Sequence, residues 1–422
     1  MTPAPATVVE RVGGSGQAEL EFANSEWRLR VEVGHCLNPY ELVHVGSGQF
    51  VADEDYCHQL TVAGTSGSGY TGGPFACRKV HPVDWTLEHK STGPTLVLVG
   101  TLDFGPSGPT SVRLEHRFTL SPAGQVVEQL SLLHHRGRDR LDLSGLRFAF
   151  RKTLFDRSSF AWRPGADAGE LVPVPLRRFA GQGTDHRLAG YSAADLNPDE
   201  WTSRRSLPGR SAEAWLWCEP GRGFLVAKYN QDHIEFSVAD ADYVVPRRVI
   251  APHADLQLAR LHSDRNLCLR FGGAGISRGC PEHAGELAPG QRVEFGPSVI
   301  EVFEGGWQTG YSCYKELLKA RGHTLPSAYE PPVHWNELYQ LGWRCGSNSP
   351  LQELPELWQE AGRARAAGAQ TFYFDPGWDL FEGSSVWDIE RLGPVEDFVT
   401  KLREEYGLGL ALHTMVHTKS VE

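Results

Sequence analysis

Asp375 is the residue of this chain best placed to do chemistry, at the end of the run Thr371-Phe-Tyr-Phe-Asp375-Pro376-Gly377-Trp378. An apolar run of strand character closes on a carboxylate, and an indole follows three residues later. A carboxylate accepts paired hydrogen bonds from vicinal hydroxyls, and an aromatic face packs on the C–H surface of a pyranose, so Asp375 and Trp378 suit a sugar site. Asp-Pro-Gly is also a turn sequence, and that reading competes. Trp335, Asn336 and Glu337, on an earlier apolar run, follow the same logic; Trp387-Asp388 could form a rim or only a packed turn. His413 closes a further run, Gly407-Leu-Gly-Leu-Ala-Leu-His413, where a ligand contact and a structural role compete evenly.

Such residues need a scaffold that brings strand ends to one mouth. Val333 to Leu341 reads as a first strand, and Leu357, Trp358, Ala361 and Ala364 mark a helix face ending at Gly368. Thr371 to Phe374 is a second strand; Val395, Phe398, Leu402 and Tyr406 mark a second helix with Pro394 near its first position; Leu408 to Leu412 is a third strand. Strands alternating with helices imply parallel pairing and right-handed crossovers, the unit of a TIM barrel, whose chemistry sits at the C-terminal ends of its strands. The sequence stops after the third strand, so the barrel is expected to be truncated at Glu422.

Upstream, from about residue 18 to 305, the period is two. In Glu26 to Val33, Trp27, Leu29, Val31 and Val33 share one face and Glu26, Arg28, Arg30 and Glu32 the other; Ser111 to Leu120 alternates likewise. Many such runs with Gly/Pro turns and almost no amphipathic helix predict a large antiparallel β-sandwich. The expected organisation is a sandwich over 1–305, a linking helix and Pro-rich linker over 306–332, and the start of a barrel over 333–422.

The 422 residues carry a formal charge of -11, from 41 Lys+Arg against 52 Asp+Glu, which disfavours a nucleic-acid partner. No apolar run reaches the ~18 residues of a membrane span. The first residues lack the basic and apolar regions of a signal peptide, so a cytoplasmic protein is expected. The eight cysteines form no C-x-x-C pair, and His413 and His417, four apart on a strand, lie too far from each other to share an ion. Gly67-Ser-Gly69-Tyr-Thr-Gly72 matches a dinucleotide fingerprint but precedes Gly73-Pro74 in an all-β region and reads as a loop. No metal or cofactor is expected.

A sandwich, a linking helix, and a barrel whose second strand ends in Asp-x-Gly-Trp, followed by a Trp-containing loop and a Gly-Leu strand, together resemble the clan D glycoside hydrolases, specifically the family 36 α-galactosidase (melibiase) group. That family's usual signature is Asp-Asp-Gly-Trp. The resemblance implies that Asp375 contacts sugar hydroxyls and that Trp378 is the family's Trp, whereas Pro376 replaces a second hydroxyl-binding carboxylate. Leu412-His413 stands where the family commonly has a Trp, no acidic Pro-Glu segment follows, and Val333 to Tyr339 is only loosely similar to the first-strand pattern. The implied chemistry is retaining hydrolysis of an oligosaccharide or glycoside by two carboxylates about 5 to 5.5 Å apart. In the family these lie on the fourth and sixth strands, so the nucleophile and acid/base are expected beyond Glu422, and the chain itself is expected to be inactive.

Two other functions stay open. One is a non-catalytic sugar-binding or assembly module. The other is a mutarotase-like sandwich enzyme using a His and a Glu, for which Glu115-His116 and His134-His135 are candidates, though they read equally as surface residues.

Overall fold

Val112–Leu120 shows how alternation becomes architecture: Val112, Leu114, His116, Phe118 and Leu120 are buried, while Arg113, Glu115, Arg117 and Thr119 lie on the more open face. The structure, a computed structural model, describes residues 6–13, 17–64, 75–106, 112–135, 140–156, 159–174, 191–192, 214–229, 236–244, 246, 265–275, 285–325, 328–342, 352–375, 377–380 and 384–414. Gly67 to Gly72, Cys280, Cys345, Pro376 and His417 lie outside them. The chain divides into two units, Met1–His323 and Thr324–Glu422.

The larger unit is built from antiparallel sheets. A five-stranded meander runs from Thr7–Val12 to Gln49–Ala52. A ten-stranded sheet contains, in spatial order, Glu170–Val174, Ala214–Glu219, Arg222–Lys228, Ser298–Glu304, Val126–His134, Val112–Leu120, Gly93–Asp103 and Lys79–Lys90. A seven-stranded sheet is centred on Asn266–Gly275, Leu141–Asp156 and Glu54–Gly64. The last two sheets share one apolar core, in which the Phe118 ring lies 5.7 Å from Phe150 and Phe224 lies 4.9 Å from Phe271. Burying each such ring contributes about 1.5–3 kcal/mol.

One polar cluster crosses that core. Glu128 Oε1 accepts from the Tyr56 hydroxyl at 2.5 Å and lies 2.9 Å from His116 Nε2, and Oε2 accepts the Gly273 N–H at 2.6 Å. Tyr56 and Gly273 belong to one sheet, His116 and Glu128 to the other, so one enclosed carboxylate links both layers. Burial and the Glu128 charge push the Tyr56 phenol well above its ordinary range.

Helix Trp307–Ala320 covers part of the far face of the ten-stranded sheet, where Leu317 packs with Leu216, Leu225, Val299 and Phe303. Gly310 permits the close approach, since a Cβ there would stand 2.7 Å from Leu216 Cδ2 and 2.8 Å from Phe303 Cζ.

The smaller unit holds a parallel sheet in the order His334–Asn336, Thr371–Phe374, Gly409–Leu412. Helices Leu354–Ala366 and Val395–Tyr406 form the crossovers, and their buried Leu357, Ala361, Ala364, Phe398 and Leu402 pack on Phe372 and Phe374. Gly407, in the left-handed region at φ 68°, ends the second helix. The first strand is shorter than its composition predicts: Asn336 Oδ1 accepts the Leu338 N–H at 2.9 Å, and the chain turns into the one-turn helix Leu338–Leu341. The fold is therefore a large antiparallel β-sandwich followed by the parallel β/α units of a partial barrel. Among the described residues no helix is long and apolar enough to cross a membrane, and no three His, Cys, Asp or Glu side chains gather as a metal site.

Candidate functional site

Alternation on the three parallel strands sorts the site from the core. Phe372 and Phe374 are fully buried among the helices, so Tyr373 takes the opposite face, where the register pairs it with Asn336. The His334 ring lies 5.8 Å from the Tyr373 ring, and His413 Nδ1 lies 3.0 Å from the Tyr373 hydroxyl. Asp375 follows the strand directly, so its carboxylate stands at the C-terminal edge of the sheet. Asn336 Nδ2 donates to Asp375 Oδ2 at 2.7 Å, and His413 Nδ1 lies 3.5 Å from Asp375 Oδ1. The His413 backbone N–H donates to the Phe374 carbonyl at 2.9 Å, which holds the third strand's end against the second. Asp375 is 7% exposed and the His413 side chain 40%, so the imidazole is the more open partner. A hydrogen on Nδ1 faces both neighbouring oxygens and leaves Nε2 as an acceptor.

Glu337 completes this arrangement from behind. It is fully buried, and its Oε1 accepts the Asp375 backbone N–H at 2.9 Å. Its Oε2 is buried without a hydrogen-bond partner. Burial first, and the nearby Asp375 charge after it, raise the Glu337 carboxyl from 4.5 to about 8. At neutral pH it is held mainly as the acid, which keeps a second negative charge away from Asp375. The Tyr373 phenol is also raised, by burial and then by the charges of Asp375 and Glu337.

The two indoles lie on the core side. Trp378 is 4% exposed; its Nε1–H donates to the His413 carbonyl at 2.8 Å, and its ring lies 6.3 Å from Trp387. Arg391 donates to the Gly377 carbonyl and to the Gln352 carbonyl, which pins the turn that sends Trp378 inward. Trp335 is half-buried and donates from Nε1 to Glu360 Oε1 at 2.9 Å, on the helix side of the sheet. Trp387 donates to the Gly393 carbonyl, while Asp388 accepts the Arg391 N–H and caps the following turn. Asp375, Asn336 and His413 thus meet at one edge, whereas Trp335 and Trp378 brace the backbone beneath it. Tyr373 is an addition that sequence reasoning missed, and Glu337, expected beside Trp335 and Asn336 as a sugar contact, is instead buried behind Asp375. Period two alone would have placed Tyr373 with Asn336, and the expectation of a longer first strand hid the turn that carries Glu337 behind Asp375.

No family profile matches the sequence, and no curated protein is similar to it. Solved structures are similar in backbone. The galactosidase domain of an α-galactosidase–sucrose kinase superposes with a TM-score of 0.50 at 10% identity, covering 96% of this chain and 57% of that one. The likeness is one of fold. A family GH36 α-galactosidase of Geobacillus stearothermophilus gives 0.49 at 12% identity, with 96% and 56% covered, and the galactose 1-epimerase of Lactobacillus acidophilus gives 0.43 at 11%, with 72% and 99% covered. The chain therefore spans a little over half the length of the galactosidases it matches.

In the sandwich, Glu115 lies on the open face, paired with Arg117 and Arg292, whereas His116 and His134 are fully buried. The His116–Glu128 pair is enclosed between the sheets, with both side chains at 0% exposure.

Proposed function

We propose that this chain belongs to a carbohydrate-active, α-galactosidase-like glycoside hydrolase, and that its sugar-contacting edge is formed by Asp375, Asn336 and His413. The observation that carries this reading is the Asp375 carboxylate at a parallel strand's C-terminal end, oriented by Asn336 and flanked by the half-exposed His413. Such an edge is where β/α barrels keep their ligands, and a fixed carboxylate beside an imidazole acceptor suits adjacent sugar hydroxyls. Trp378 and Trp335 act in this reading by holding the strand ends. The domain division proposed with it is sandwich to 305, linker to 332, and barrel thereafter.

The carboxylates described here bind and position rather than react. Asp375 is engaged by Asn336, and Glu337 is closed off from solvent, so neither is assigned as nucleophile or acid/base. Retaining hydrolysis in the protein carrying this chain would release the α-anomer of galactose first, which proton NMR of a fresh aryl α-galactoside digest reads directly; the β-anomer appearing first would refute it.

The binding role is tested by Asp375→Asn. Losing one or two charge-assisted hydrogen bonds at about 1.5–3 kcal/mol each predicts a fall of roughly tenfold or more in affinity for methyl α-galactopyranoside, measured by calorimetry. A folded variant with unchanged affinity would show that Asp375 is a turn residue.

A further inference from the structure

Among the described residues, the far face of the ten-stranded sheet is only partly covered. Helix Trp307–Ala320 lies over the strands at one side through Leu317, Tyr311 and Tyr314, and it ends before Val112–Leu120 and Gly93–Asp103 are reached. At this step between helix end and bare sheet lies a groove of 810 Å³, within the range of small-molecule sites. Its floor mixes apolar and hydrogen-bonding side chains, because alternation points Glu128 and Leu132 into the core and leaves Val127, Gln129 and Ser131 lining the groove, beside Thr119. The helix contributes Leu317 and Arg321 as the wall.

Arg117 and Arg292 also border the groove, but both are neutralised, the first by Glu115 and Glu88, the second by Glu115 and Glu294. Arg321 is different. Its Nη1 is buried with no hydrogen-bond partner, and no carboxylate among the described residues pairs with it. The guanidinium is nevertheless held in place, its Cζ 4.3 Å from the centre of the Tyr229 ring, whose hydroxyl is in turn 2.9 Å from His323 Nε2. Burial lowers the Arg321 pKa, the mark of a cation without its counter-charge. A pre-positioned, uncompensated fork of N–H donors at the wall of a groove that also presents hydroxyl and amide groups is suited to an anionic group.

We propose that this groove is a second ligand site, separate from the strand-end site, and that it takes a small sugar acid or sugar phosphate with its anionic group on Arg321 and its hydroxyls on Thr119, Gln129 and Ser131. The volume admits one or two pyranose rings. The neutral floor supplies both donors and acceptors, which hydroxyls need, and Arg321 supplies the fixed charge that selects for an anion.

Isothermal calorimetry on the full chain tests this with galacturonate, galactose 6-phosphate, inorganic phosphate and galactose as separate probes. Galacturonate or galactose 6-phosphate should bind more tightly than galactose, and Arg321→Gln should weaken that binding about tenfold, as expected for one charge-assisted hydrogen bond. Arg321→Lys should recover part of the loss, because the charge returns without the fork. Preference for galacturonate identifies a carboxylate ligand, and preference for galactose 6-phosphate with measurable inorganic phosphate binding identifies a phosphate ligand. Gln129→Ala, on the floor and away from the helix, should weaken the sugar anion and leave inorganic phosphate unaffected, which keeps the test valid if an Arg321 variant does not fold. Equal affinity in wild type and Arg321→Gln, equal binding of galactose, or no anion bound by ~10 mM would overturn the proposal.

Discussion

Glu337→Gln isolates the effect of a buried acid on the strand-end site. In the folded chain the Glu337 carboxyl is raised from 4.5 to about 8, chiefly because burial disfavours the carboxylate. The folded state therefore keeps a proton that the unfolded chain has released, and stability falls as pH rises between those values. The contribution is fully present below the ordinary carboxylate range and is lost as pH passes through about 8. At 1.36 kcal/mol per unit, the interval from pH 5 to 8 sets an upper bound of about 4 kcal/mol, and local relaxation around a charged Glu337 reduces the expected loss to ~2 kcal/mol. Glutamine has the shape of the neutral acid and still offers Oε1 to the Asp375 N–H, so the variant should match wild type at pH 5 and exceed it at pH 8. Hydrogen exchange of strand Thr371–Phe374, corrected for intrinsic rates, reads this locally. Wild-type protection should fall about 30-fold across the interval, equivalent to ~2 kcal/mol, while the variant stays flat. If both proteins lose protection in parallel, Glu337 does not hold its proton and the account of a neutral acid behind Asp375 fails.

Glu128→Leu should unfold the sandwich or lower its stability by about 3–5 kcal/mol, because the Tyr56 hydroxyl, His116 and the Gly273 N–H all lose their acceptor inside the core; thermal melting followed by circular dichroism measures it, and a variant as stable as wild type would refute the linking role. Gly310→Ala should cost about 1–3 kcal/mol, since the new Cβ would meet Leu216 at 2.7 Å and Phe303 at 2.8 Å, and a urea midpoint that does not move would show that the helix can lift off the sheet without penalty.

Much of this was legible in the chain, and the exceptions share a physical cause. Period two placed Trp27, Leu29 and Val31 in a core where all three are fully buried, and a run of apolar residues closed by a carboxylate located Asp375 at a strand end. Trp378 was expected to contact sugar, yet an indole three residues beyond a carboxylate can serve a core as well, and here it is 4% exposed. What sends it inward is Arg391 on the Gly377 carbonyl, a contact made from a later turn that no local pattern announces. Glu337 was expected with Trp335 and Asn336 as a sugar contact because a strand of composition Val-His-Trp-Asn-Glu-Leu reads straight on, whereas the Asn336 side chain caps the next N–H and turns the chain. His116 and Glu128 were readable in principle: each occupies an apolar-face position, His116 between Leu114 and Phe118, Glu128 between Val126 and Leu130. Charged residues are normally exposed, and that general preference kept a surface reading of His116 open beside its candidate role. The alternation was the better guide, because one residue out of phase would reverse every side chain of the strand, whereas burying a single carboxylate requires only the three donors that surround it. An ionisable residue standing on the apolar face of an otherwise regular strand is therefore better read as buried with its donors still to be found than as a break in the pattern.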